Sequence, residues 1–203
     1  VVLLGATIDN KLSFEQYIRD ICTKANNKTK ALLRIRNYLS TSRAELICNS
    51  YITSCFDYCP LIWMFCNKTL HQLIVTTHKR ALRAVEMDFS STYEELLTLR
   101  NSCSIHDRNL LLLVTEVYKS VNNHNPEFMG ELFVEKDLPY KFRTGSTFTL
   151  PKRQETGTNS LVFRACLAWN TLPKSIKGAK SVEEFASGVS SNGPIYCKCK
   201  ICA

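Results

Sequence analysis

Apolar positions recur at helical spacing through most of the chain. Phe14, Ile18, Ile21, Ala25, Leu32, Ile35 and Leu39 predict an amphipathic helix over about 13–39, with Ser13 and Gln16 as a capping-box pair at its start. A helix restarts at Thr41 or Ser42, runs through Ala44, Leu46 and Ile47 toward Phe56, and is interrupted at Pro60. After the apolar run Leu61–Cys66, Leu70, Leu73, Ile74, Ala81, Leu82 and Val85 predict a helix over about 68–87. Ser91 and Thr92 cap a short helix over Tyr93–Leu99. Between Ser104 and Val121, the block Leu110–Val114 covers every side of a helix and marks a central core element. Short helical stretches are predicted at Glu127–Phe133, Pro173–Ile176 and Ser181–Phe185, while Leu161–Trp169 reads equally well as strand or helix.

Three segments depart from this pattern. Leu3–Ile8 reads as a short buried strand, with turn chemistry at Asp9 and Asn10. Residues 135–159 are polar and punctuated by Pro and Gly, and Ser, Asn, Gly and Pro beyond Gly188 predict a loose tail. The expected fold is therefore mainly α. It divides into an edge strand (1–12), a helical bundle (13–134), a polar connection (135–160), a small C-terminal helical segment (161–187) and a flexible Cys-rich tail (188–203). The longest apolar run has six residues, Leu61–Cys66, against the roughly 20 of a membrane-spanning helix.

Charge narrows the functional classes. The 203 residues carry 26 Lys and Arg against 18 Asp and Glu, a net charge of +8, which suits a polyanionic partner. Seven bases (Arg19, Lys24, Lys28, Lys30, Arg34, Arg36, Arg43) lie between positions 19 and 43, against the single acid Asp20. At about 100° per residue, Arg19, Lys30 and Arg34 fall in one stripe opposite the apolar face. Such a stripe, with Asn26, Asn27 and Asn37 beside it, can follow a phosphate backbone without reading sequence. Lys79, Arg80 and Arg83 extend it, as do Lys141, Arg143, Lys152 and Arg153; a solvated helix face is the alternative reading.

Catalytic chemistry finds little support. His71, His78, His106 and His124 show no metal-pair spacing, and Ile105-His106-Asp107-Arg108 suits capping, dipole and packing roles at a helix start. The seven glycines form no phosphate-binding loop, and neither Asp9 nor Glu94-Glu95 makes the carboxylate cluster of a two-metal site. Trp63, Phe65 and Trp169 read as core residues. Cys22, Cys48, Cys55, Cys59, Cys66, Cys103 and Cys166 stand in apolar stretches and read as small buried hydrophobes, free thiols of a reducing compartment. The end of the chain differs. Cys197, Cys199 and Cys202 supply three ligands toward a tetrahedral Zn2+ site, with no fourth nearby in sequence.

Taken in order, these segments resemble the region following the palm of non-LTR (LINE-type) retrotransposon reverse transcriptases, especially jockey-like elements. The resemblance rests on Leu4–Asp9 with Leu12-Ser13-Phe14 and Tyr17-Ile18, then Tyr58–Trp63, His78–Arg83, Tyr93–Leu97 and Ile105–Leu110. It continues through Glu116–Lys119, Gly157–Ser160, Trp169–Ile176, Lys180–Phe185 and the Cys-rich tail. It implies a palm or primer-grip edge strand, a helical thumb and a C-terminal region, with Val1 at a palm-to-thumb junction. It implies no catalysis by this chain alone, because the aromatic-x-Asp-Asp motif and the Mg2+ it holds belong to a palm and fingers outside it. Partners implied are an RNA template and an RNA–DNA duplex, gripped through Arg19, Lys24, Lys28, Lys30, Arg34, Lys79, Arg80 and Arg83. The implied location is intracellular, nuclear or cytoplasmic. Residues 186–196 lack the basic helix and linker of that family. The alternatives are a decayed or domesticated helical interaction domain without enzymatic activity, and a small zinc-binding regulator.

Overall fold

The computed structural model describes residues 1–136, 147–151, 160–197, 199 and 201–202. The fold is mainly helical, as the periodicity predicts, with one small sheet at the N-terminus. Lys141, Arg143, Lys152 and Arg153 lie outside the described residues. The chain separates into two compact units, Val1–Ile105 and His106–Ala203.

In the first unit, the predicted single buried strand is instead a hairpin. β1 (Val2–Leu3) pairs antiparallel with β2 (Ala6–Thr7), Val2 opposite Thr7 and Leu3 opposite Ala6. Leu4 and Gly5 between them both have positive φ, 47° and 82°, the backbone of a tight primed turn. Only Ala6 of this hairpin is buried; Val1 is 93% exposed and Leu4 82%. The Tyr58 hydroxyl donates to the Leu4 carbonyl and ties the turn to the bundle.

Helix α1 (Glu15–Ile35) follows, shorter than the periodicity suggests. Its start is organised by Asp9 rather than by a Ser13–Gln16 box. Phe14, at φ 52°, sits at the cap with no side-chain cap of its own. The Asp9 carboxylate accepts from the amides of Lys11 (2.9 Å), Ser13 (3.0 Å) and Phe14 (2.7 Å) and from Ser13 Oγ (2.9 Å). These donors, the Ser13 amide foremost, hold the Asp9 carboxyl down to about 2. Tyr17, Ile18, Ile21, Cys22, Ala25 and Leu32 form the buried stripe of α1, while Ile35, predicted on that stripe, is exposed.

The stretch predicted as one helix from Thr41 toward Phe56 is broken in three. Helix α2 (Thr41–Ile47), capped by Ser40, widens into a π-helical turn over Cys48–Ile52 and tightens to 3-10 geometry over Thr53–Phe56. The change of pitch brings Cys48, Ile52 and Phe56 onto the core together. α3 (Pro60–Trp63) is a single turn. α4 (Lys68–Glu86), capped by Asn67, matches its predicted span, as does α5 (Tyr93–Leu99), whose Thr92 and Glu95 make a reciprocal capping box. Cys22, Cys48, Cys55 and Cys66 are core residues; Cys59 and Cys103 are exposed, against expectation.

α1 and α4 form the principal contact of this unit, closed over the fully buried small residues Ala25, Ala81 and Ala84. Asn26 Nδ2 meets Thr77 Oγ1 at 3.5 Å, and ten residues further along α1 Arg36 meets the Val85 carbonyl, eight residues beyond Thr77. The contacts advance together, so the helices run the same way. Arg36 begins the 3-10 turn Arg36–Tyr38 and is only 8% exposed. Its guanidinium donates from Nε (2.9 Å) and Nη2 (2.6 Å) to Val85 O, from Nη1 to Leu39 O (2.7 Å) and from Nη2 to Thr41 Oγ1 (3.2 Å). Arg100, its side chain 4% exposed, bridges Glu45 of α2 and Glu86 of α4 at 2.5 Å each.

The second unit is built on aromatic stacking. Its helices are α6 (Ile105–Val121), α7 (Glu127–Gly130), α8 (Leu161–Thr171), α9 (Lys174–Lys177) and α10 (Val182–Ser191). Ring centroids step from Phe133 to Phe148 (5.4 Å), Trp169 (5.7 Å), Phe185 (5.8 Å) and Tyr118 (4.5 Å). Asn170 accepts from the Phe148 amide (2.8 Å) and donates to its carbonyl (3.0 Å), holding that ring against Trp169 as a neighbouring strand would. α8 resolves the ambiguity at 161–169 as helix, with Ser160 accepting from the Phe163 amide. α10 continues past Gly188, where loose tail is expected, because Phe185 and Val189, one helical turn apart, are buried on one face, with Gly188 against Ile176 of α9. Among the described residues, no helix is long and apolar enough to cross a membrane.

Because Arg36 satisfies the Val85 and Leu39 carbonyls at once, Arg36→Ala is expected to destabilise the chain by roughly 2–4 kcal/mol, read as a lower midpoint in chemical denaturation. Arg34→Ala, at an exposed neighbouring position, is expected to change stability by less than about 0.5 kcal/mol.

Candidate nucleic-acid interface and candidate metal centre

The cations expected to contact nucleic acid separate into distinct environments in the first unit. Lys30 of α1 and Arg80 and Arg83 of α4 line one cleft of about 470 Å3 between the two helices, with Asn26, Asn27 and Phe89. No carboxylate lines it. Arg83 Nη2 donates to the Ser91 carbonyl at 2.8 Å, while its Nε is buried without a hydrogen-bond partner. Arg19 and Arg34 share the helical face of Lys30, so the line of cations runs about 22 Å along α1.

The remaining cations are engaged elsewhere. Arg19 pairs with Glu15 at 2.7 Å, one turn back on α1. Lys24 and Lys28 line a second cleft, of about 520 Å3, beside Asp20 and Tyr58 on the other flank of the buried stripe. Lys28 donates to the Tyr51 carbonyl at 2.6 Å and lies 4.0 Å from the centre of its ring, which offsets part of its reach toward a ligand. Lys79 lies near Glu95 of α5 and lowers that carboxyl slightly, behind the stronger effect of the Thr92 amide and hydroxyl. His78, between Ile74 and Lys79 in sequence, is buried and shares a 2.8 Å hydrogen bond with the Tyr93 hydroxyl. Arg36, counted among the basic residues of 19–43, is buried as a structural cation and faces no ligand.

In the second unit the tail thiols meet a ligand that the sequence does not place near them. Cys199 Sγ lies 3.7 Å from His106 Nε2 and 3.6 Å from Cys202 Sγ, and Cys202 Sγ lies 3.3 Å from the same imidazole nitrogen. With Cys197, the four ligand atoms lie within 4.8 Å of one another. His106 is buried in the first turn of α6, where the helix fixes its direction, and its imidazole meets the tail thiols there. Cys199 is buried and its carbonyl accepts from the Cys202 amide at 3.1 Å, a turn that aims both sulfurs the same way.

No family model, curated protein or solved structure matches this chain.

One proton balance follows from the geometry. A hydrogen bond from Cys197, and a second from His106, favours the Cys199 thiolate and holds that thiol well below the ordinary range. The same interaction with Cys199, followed by burial, raises Cys197, and burial first and then Cys199 push Cys202 up to about 11. Three thiols and one imidazole converging in this way are compatible with a bound metal ion. Nothing in the 93-residue separation between His106 and Cys199 signals the pairing; an incomplete Cys set and a lone His opening a helix are its only traces in sequence.

Proposed function

We propose that this chain is a non-catalytic nucleic-acid-binding piece, the thumb and C-terminal region of a LINE-type reverse transcriptase, that grips RNA–DNA duplex through backbone phosphates. The observation that carries the reading is the meeting of Lys30 with Arg80 and Arg83 across α1 and α4 in a cleft without a carboxylate. Arg19 and Arg34 continue the positive line on either side, an arrangement that neutralises phosphates at successive positions and releases their counterions. Amides at Asn26 and Asn27 add hydrogen bonds to phosphate or sugar that orient the duplex and carry no sequence preference. Lys24 and Lys28, on the other flank, are placed to meet a second strand or to stabilise the Tyr51 turn. Polymerisation and its Mg2+ belong, in this reading, to a palm supplied outside the residues present here.

The second part of the reading is a structural Zn2+ held by His106, Cys197, Cys199 and Cys202. With Zn–S near 2.3 Å and Zn–N near 2.0–2.1 Å, a tetrahedral site has S–S edges of about 3.8 Å and S–N edges of about 3.5–3.6 Å. The separations among His106, Cys199 and Cys202, 3.6, 3.7 and 3.3 Å, need adjustments of only a few tenths of an ångström to meet them, while the widest edge of the four-ligand set, at up to 4.8 Å, must close by about 1 Å. Thiolate sulfur with one imidazole selects Zn2+ over Mg2+ or Ca2+, and four protein ligands leave no open position for catalysis. The ion would fasten the last residues to the start of α6, a structural function.

Fluorescence anisotropy with an RNA–DNA hybrid tests the first part. Binding is expected to weaken linearly in log–log form as salt rises. The double substitution Lys30→Ala, Arg80→Ala is expected to flatten that slope by about 2 and to cost about 10–100-fold in affinity near 0.1 M salt, while Lys79→Ala leaves both nearly unchanged. Hybrid affinity that is unmeasurable at low salt, or untouched by the double substitution, overturns the reading.

Metal analysis of the full chain tests the second part, with about one Zn2+ per chain expected and its loss on His106→Ala or Cys199→Ser. Since Cys197 and Cys202 hold protons when no metal is bound, Zn2+ must displace about two of them. Acid therefore favours the metal-free site, and affinity is expected to fall as pH falls, by up to about 100-fold per pH unit where both thiols are protonated, measured by competition with a chromophoric chelator. Undiminished zinc in the His106→Ala chain would exclude His106 as a ligand.

A further inference from the structure

The cleft between α1 and α4 holds more than a phosphate track requires. Beside Lys30, Arg80 and Arg83 stands Phe89, 58% exposed, on the short segment that follows α4. Its position is fixed from both sides. Met87, at φ 55°, ends α4 in the left-handed region. The Asp88 carboxylate then accepts from the amides of Ser90 (2.8 Å) and Ser91 (3.1 Å), from Ser90 Oγ (2.7 Å) and from Ser91 Oγ. Arg83 closes the turn onto α4 through the Ser91 carbonyl at 2.8 Å. An aromatic ring is thus held out toward water on an ordered turn, at a cleft whose other walls carry three cations and two amides.

That combination differs from what duplex binding needs. A paired base shows only its edges, and its face is covered by its neighbours in the stack; a ring beside the duplex has nothing to stack on. An unpaired base offers its whole face, and sites for single strands combine a positive groove with exposed aromatic rings. A volume of about 470 Å3 lies within the range of small-ligand sites.

We propose that this cleft binds one unpaired nucleotide of a single strand, its base stacked on Phe89 and its phosphates among Lys30, Arg80 and Arg83. Asn26 and Asn27 face the sugar and base edges with both donors and acceptors, so every base is accepted. The proposal deepens the nucleic-acid reading above and rests on it: α1 follows the duplex, and the cleft takes the strand where pairing has ended.

The test uses the full chain and four fluorescently labelled probes: octathymidylate, octauridylate, an abasic octamer with the same phosphates, and the RNA–DNA hybrid. The two base-bearing octamers are expected to bind about 5- to 150-fold more tightly than the abasic one, the range of a single stacked base. Phe89→Ala is expected to remove that difference and leave abasic and hybrid affinities unchanged; Phe89→Trp is expected to keep it. Exposure of Phe89 makes either substitution compatible with the fold. Equal binding of abasic and base-bearing octamers, or a preference that survives Phe89→Ala, overturns the proposal while hybrid binding still stands. Failure of all four probes to bind overturns the nucleic-acid reading with it.

Discussion

The first unit depends on one buried guanidinium. Arg36 leaves the end of α1 and reaches Val85 O, among the last carbonyls of α4, where the helix carries partial negative charge and its C-terminal acceptors lack intrahelical donors. The same group holds Leu39 O and Thr41 Oγ1, so it also sets where α2 starts. Three helix ends are thereby referred to one side chain. With Ala25, Ala81 and Ala84 allowing close approach, the latch fixes the register in which α1 and α4 run side by side. Lys30 and Arg83 line a common cleft only because of that register: a shift of one residue along α1 rotates its face by about 100° and removes Lys30 from the cleft.

This explains which parts of the molecule were legible in the sequence. Helix identity was carried by periodic apolar positions, and α4 and α5 match their predicted spans because Asn67 and Thr92 supply local start signals. Where long-range groups decide, the pattern misleads. Leu3–Ile8 looks like a buried strand because four aliphatic residues surround Gly5, yet Leu4 and Gly5 turn the chain and Leu3 and Leu4 face water. Ser13 and Gln16 look like a capping box, yet the Asp9 carboxylate, with two oxygens and more reach, takes the donors of the α1 start. Arg36 looks like one more cation in a basic run; only the distant Val85 carbonyl makes it structural. Counting charges in sequence cannot separate a latch from a ligand contact.

The second unit shows a different division. Trp169 and Asn170 stand next to each other in a segment of undecided periodicity, and the structure assigns each a distinct task. The indole joins the ring series between Phe148 and Phe185, while the amide pins the backbone of Phe148 with a matched donor and acceptor. A strand over 161–169 would alternate these two residues to opposite faces; a helix places them about 100° apart, so both reach Phe148. Lys177 covers Trp169 with its ammonium 5.5 Å from the ring centre, and burial draws its pKa down to about 8. The ring series thus excludes water from a unit with few long aliphatic layers.

Beyond Ser191 the chain has no such means of ordering itself. Asn192 and Gly193 end α10, and among the described residues the larger apolar side chains that follow are the partly buried Ile195 and Ile201 and Tyr196, itself 43% exposed. A segment so poor in burial cannot offset roughly 1–2 kcal/mol of backbone entropy per residue by hydrophobic contact. Yet Cys199 is 2% exposed and its sulfur faces the ring of His106. Thiol–imidazole hydrogen bonds at 3.3 and 3.7 Å are weak attachments, and they leave two protonated thiols crowded against a third sulfur. A bound ion would answer both, exchanging weak contacts for strong bonds to the same four side chains. Three thiols and the imidazole of His106, itself fixed by α6, converge there in a set compatible with a bound metal ion.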